Sequence, residues 1–119
     1  MTAKQWKSRI KKACVEVGSY KKSFDSTISI LADILARRDR MMEQYIEEGE
    51  EPIVEYTNKA GATNKDKNKL LSAIEKCEEM AIKYLSEMGL TSKGLKSIGG
   101  EVEKKEESSF EKLFADLGI

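Results

Sequence analysis

Residues 24–48, FDSTISILADILARRDRMMEQYIEE, and residues 70–88, LLSAIEKCEEMAIKYLSEM, decide how this chain folds. In the first stretch Phe24, Ile28, Leu31, Leu35, Met42 and Tyr45 recur at alternating steps of four and three, interrupted only by Arg38. In the second, Leu70, Ile74, Cys77, Ala81, Tyr84 and Met88 repeat the rhythm. That period lays each set along one face of an α-helix. A second line (Thr27, Ile30, Ile34 and Met41; then Leu71, Ile82 and Leu85) widens each stripe beyond a thin coiled-coil seam. A stripe of that width suits burial against more than one neighbour. The polar, glycine-containing connection between the stretches predicts an antiparallel helical hairpin on which the rest is mounted. The predicted class is all-α.

The stop signals agree. Gly49 and Pro52 end the first long helix near Glu48, and Gly89 ends the second just past Met88. Ser23 is the expected cap of the first. Arg38 falls on the apolar seam, where a charge requires a partner; a carboxylate of an adjacent subunit is the expectation. The intervening Ile53 to Asn58 is extended in character, and Asn58-Lys59-Ala60-Gly61 reads as a turn with positive φ at Gly61. A short strand or hairpin fits there.

Upstream, Thr2 with Gln5 three residues on forms a capping box. Trp6, Ile10, Ala13, Cys14 and Val17 then share one face of a short helix that Gly18 ends. Downstream, Thr91 opens a short turn and Gly99-Gly100 breaks the chain; residues 101–109 are polar. Phe110, Leu113, Phe114 and Leu117 follow at i, i+3, i+4 and i+7. This compact amphipathic helix has two readings: a docking peptide for a partner, or a segment folded back on its own hairpin. The chain thus divides into a basic arm (1–22), a hairpin core (23–98), and a linker with a C-terminal docking helix (99–119).

The formal net charge is zero over 119 residues, with 39% hydrophobic and 35% charged. The zero hides segregation. Residues 1–22 carry Lys4, Lys7, Arg9, Lys11, Lys12, Lys21 and Lys22 against Glu16 alone, a net +6. Residues 23–51 carry a net −5, residues 52–100 a net +2 and residues 101–119 a net −3. The arm therefore reads either as a solvated helix docked through Trp6 and Ile10 or as a phosphate-contacting element. A two-helix hairpin cannot cover both its faces, so self-association is expected.

The sequence narrows the chemistry. With no histidine, no Cys-His pair, Ser-His-Asp triad or histidine-containing zinc site can form. No Walker-type or dinucleotide glycine pattern occurs. Cys14 and Cys77 stand 63 positions apart, and Cys77 lies in an apolar stripe, where it reads as a small buried hydrophobe. The carboxylates sit among lysines, as on solvated helix faces. The expectation is a non-enzyme without cofactor or metal. No run of about 18 apolar residues is present. The opening Met-Thr-Ala-Lys-Gln-Trp lacks the apolar core of a secretion signal, so the cytoplasm is the expected location.

The order of pieces brings a family into view. A long helix ends in Glu47-Glu48-Gly49. Then come Ile53-Val54-Glu55-Tyr56-Thr57-Asn58-Lys59-Ala60-Gly61-Ala62-Thr63-Asn64 and Asn68, and a helix closing with Leu85-Ser86-Glu87-Met88-Gly89-Leu90-Thr91. This resembles the small subunit of tailed-phage terminases over roughly residues 24–98. The family's usual Asn-Pro step is Asn68-Lys69 here, Ser92 stands for the proline after Gly-Leu-Thr, and Lys96 matches the usual arginine. The resemblance implies an all-α protein assembled into a ring. It also implies binding of double-stranded viral DNA, delivery to the large terminase subunit that carries the ATPase and nuclease, and no catalytic centre. Location would be the host cell cytoplasm. On that reading Lys4, Lys7, Arg9, Lys11, Lys12, Lys21 and Lys22 are the first choice for DNA contact, and Lys93 and Lys96 the second. Phe110, Leu113, Phe114 and Leu117 would dock on the large subunit. The alternative is a helical protein-interaction adaptor whose basic arm is plain surface.

Overall fold

The computed structural model describes residues 1–91 and 109–118; in the second range, side chains are described from Leu113. The expected hairpin forms from α2 (Asp25–Glu47) and α3 (Lys69–Glu87), which pack along each other. α1 (Ala3–Val17) precedes them and lies against α2. α4 (Ser109–Leu117) packs on α1. The stripes point inward as predicted: Ile28, Leu31, Leu35, Ile74, Cys77, Ala81 and Met88 are all buried. Trp6, Ile10, Ala13 and Cys14 complete the same core from α1, with Leu113 and Leu117 from α4.

The caps explain the boundaries. Thr2 accepts from the Gln5 backbone N–H while the Gln5 side chain accepts from the Thr2 N–H, the full capping box. Gly18 closes α1 in the left-handed region. At the end of α3 the Leu90 N–H reaches the Leu85 carbonyl at 2.8 Å, and the Gly89 N–H reaches Ser86 at 3.0 Å. Leu90 and Leu85 are both fully buried, so the turn that ends the helix is also anchored in the core.

Two expectations are corrected here. The fold is not purely all-α: β1 (Ile53–Thr57) and β2 (Thr63–Lys67) form a two-stranded antiparallel sheet. The register pairs Ile53 with Lys67, Glu55 with Lys65 and Thr57 with Thr63. Extended, β-branched residues in β1 and a turn built for chain reversal outweigh helix propensity there. Ser23 does not cap α2. Lys22–Phe24 form a 3₁₀ turn instead, and Phe24, with no side-chain cap bond, occupies the cap position.

The ribbon's turn is held by one side chain. Asn58 Oδ1 accepts from the Ala60 and Ala62 N–H groups, each at 3.0 Å, while the backbone closes through Asn58 N–H to the Ala62 carbonyl. Gly61 takes φ +82° as expected, a conformation that side-chain-bearing residues rarely adopt. Asn68 fixes the ribbon's base. Its Oδ1 caps α3 at Leu70 N–H, its Nδ2 donates to the Glu51 carbonyl, and its own N–H donates to Pro52. This asparagine therefore holds the start of α3 against the chain entering β1.

The molecule is elongated, 58 × 28 × 26 Å. At 1.5 Å per residue the 23 residues of α2 span about 35 Å, and each five-residue strand of the ribbon is about 17 Å long.

Candidate nucleic-acid interface

α1 carries its charge on the side away from the core. With Trp6, Ile10, Ala13 and Cys14 inward, Lys4, Lys7 and Lys11 fall at i, i+3 and i+7 along one outward ridge. All three are exposed, as are Arg9, Lys12, Lys21 and Lys22. The ridge continues past the helix through Tyr20. The Lys11 ammonium sits 5.2 Å from the Tyr20 ring centroid, and the Tyr20 hydroxyl donates to Asp25 Oδ1 at 2.7 Å. That pair of contacts holds the segment leading to Lys21 and Lys22 beside the end of α1. The hydrogen bond to Asp25 raises the Tyr20 phenol above its ordinary pKa, because ionising it would break the bond and set two anions together.

Arg9 stands apart from the ridge. It lies two residues from Lys7 and Lys11, about 200° around the helix from each, and its guanidinium pairs with Asp116 of α4. The seven predicted cations thus divide: a ridge of three that leads to Lys21 and Lys22, Lys12 on the outer side, and Arg9 on the flank that α4 occupies. Lys93 and Lys96 lie outside the described residues.

Of the predicted docking residues, Leu113 and Leu117 are buried in the core and Phe114 is half-buried. The Phe110 side chain lies outside those described. Within the one chain, α4 takes the folded-back arrangement.

Arg38 finds its partners in its own chain, not the neighbouring carboxylate that was expected. Nε donates to Glu78 Oε1 at 3.2 Å, Nη1 to Asp39 Oδ1 at 3.3 Å and Nη2 to the Leu117 carbonyl at 3.1 Å. Asp39 also accepts from Trp6 Nε1 at 2.7 Å. Sequence reasoning missed Asp39 as the residue joining α1 to α2. Its seam neighbour Arg38 was the available signal, since a charge on an apolar stripe recruits an opposite one.

Burial pushes the Cys14 thiol above its ordinary pKa, with Ser19 pulling it partly back, so the reactive thiolate is disfavoured. Among the described residues no group of three or more metal-ligating side chains is placed to hold an ion, and no helix is long and apolar enough to cross a membrane.

Residues 3–105 match a protein family described as "Phage terminase, small subunit". No curated protein matches the chain, and no solved structure does. The matched range takes in α1, the hairpin and the ribbon, and leaves α4 beyond it. With nearly its whole length covered, the chain belongs to the phage terminase small-subunit family.

Proposed function

We propose that the chain serves phage DNA packaging by holding double-stranded viral DNA on the outward face of α1 and presenting it to the large terminase subunit. The family supports a role in packaging. The observation that carries the DNA contact is the Lys4, Lys7 and Lys11 ridge, prolonged to Lys21 and Lys22 across the Tyr20 contact. Such a row meets successive phosphates without reading bases. Lys12 extends it sideways, Arg9 adds a cation on the flank beside α4, and Lys93 and Lys96 form a second set in the sequence that follows α3.

Assembly into a ring would multiply this contact. Ile30 and Ile82 remain exposed on the two long helices, 51% and 41%, so part of the second apolar line stays uncovered in the single chain. Apolar flanks of this kind fit subunit packing, and repeated cationic faces around a ring bind one duplex with avidity. The role needs no catalytic residue. Large-subunit docking through Leu113 and Leu117 requires α4 to leave α1, because both are buried there.

Charge reversal tests the contact. Lys7→Glu, Lys11→Glu and Lys12→Glu together remove three cations from exposed positions. Duplex affinity should fall, and the slope of log affinity against log salt should become shallower by about 3. Unchanged binding would remove α1 from the interface. Native mass spectrometry of the same protein reads assembly: a multi-subunit ring supports packaging, and a monomer or dimer favours the adaptor.

A further inference from the structure

We propose that α4 is a releasable cover that withholds Arg9 of α1 from DNA. Capturing α4 elsewhere would then strengthen DNA binding. The inference rests on the reading of α1 as the DNA-contacting helix and adds its regulation.

Three observations converge. First, α4 contributes an acidic side chain paired with a cation of the arm: Asp116 holds the Arg9 guanidinium. The paired guanidinium is partly neutralised and its donors are turned toward a carboxylate. Second, α4 rests on the same helix it would regulate, with Leu113 and Leu117 buried among Trp6 and Ile10. Third, α4 depends on its seat. It is nine residues long, too short to persist as a helix without its contacts. The contacts that hold it include two buried leucines, the Asp116 pair and the bond from Arg38 to the Leu117 carbonyl. Seventeen residues separate Thr91 from Ser109 in the sequence.

The apolar face that seats α4 is the face any other groove would have to grip. A partner that takes Leu113 and Leu117 therefore strips Asp116 from Arg9 in the same event. Release also removes a negative charge from beside Arg9. The two equilibria are linked: whatever favours the undocked state favours DNA, and DNA favours the undocked state by the same factor.

The test is fluorescence anisotropy of the full chain with a short mixed-sequence duplex over a salt series. Asp116→Asn breaks the ion pair at a partly exposed position without disturbing the leucines. It should tighten binding two- to fivefold at low salt and steepen the salt slope by about 0.9, the signature of one further phosphate contact. In an Arg9→Ala background the same substitution should lose that gain. Leu117→Asp should expel the helix. The chain has a single tryptophan, so a red shift of Trp6 emission reports release independently of DNA. Equal effects of Asp116→Asn with and without Arg9 would overturn the proposal, as would Trp6-reported release that leaves the salt slope untouched. Charge reversal at Lys7 and Lys11 separates the two ideas. If that reversal leaves binding unchanged, or if no variant binds, the reading of α1 fails and takes this inference with it. If reversal weakens binding but the Arg9–Asp116 cycle is additive, only the cover is refuted.

Discussion

Around Trp6, four helices contribute to one core, and Leu31, Leu35, Leu85 and Leu113 are all sealed from solvent. At the far end, β1 and β2 bury none of their residues: Ile53 is 59% and Tyr56 57% exposed. The body is held by apolar burial. The ribbon is held by its own ladder, by Asn58 across its turn and by Asn68 at its base. A lone two-stranded ribbon is marginal in water, so these polar fixtures carry a share of stability that packing supplies elsewhere. The contrast teaches that one chain uses two independent ways of fixing backbone, and substitutions should separate them.

The largest effect belongs to the body. Trp6→Ala empties a fully buried site and removes the indole donor to Asp39, and it should cost about 3–5 kcal/mol in chemical unfolding. A loss under about 1 kcal/mol would mean that α1 is not part of the cooperative core. Arg38→Ala should cost about 2 kcal/mol, since it leaves Glu78 and the Leu117 carbonyl without their donor in a largely buried position. Hydrogen exchange should show α4 opening before α2 and α3.

Gly61→Ala acts at the other end. Nothing lies within 4 Å of the added methyl, so the cost is torsional, about 1 kcal/mol at φ +82°. Ribbon amides should exchange faster while the unfolding midpoint of the body holds. A matching shift of that midpoint would show that ribbon and body unfold as one unit. The smallest effect is at Tyr20. Its folded pKa lies above the ordinary value, so the stabilisation present at neutral pH is lost as pH rises through that raised value. Ultraviolet titration should find the phenol ionising late, and Asp25→Ala should bring it back down.

The same contrast explains what could be read from sequence. The body was legible because Ile28, Leu31, Leu35, Ile74, Cys77 and Ala81 repeat at the helical period and all point inward. The ribbon was legible only through its turn. β2 is Thr-Asn-Lys-Asp-Lys and contains no apolar residue, so exposure on both faces leaves no alternation to detect. Ser23 looked like a cap, yet the chain tightens into a 3₁₀ turn before α2, a choice that local residue type does not encode. For the candidate interface, the cations were plain, but their partition was not. Spacing within α1 sets Arg9 off the ridge, but its pairing with Asp116 depends on α4 arriving from more than 100 positions away, which no local pattern shows.

Arg38 carries a kinetic consequence. α2 and α3 meet by closing a short connection, whereas the bond from Arg38 to Leu117 spans 79 positions. Closing the longer loop costs more chain entropy, so the hairpin should assemble first and the last helix should seat on it afterwards. Reversed in time, that order makes the guanidinium a catch that lets go early, well before the long helices part.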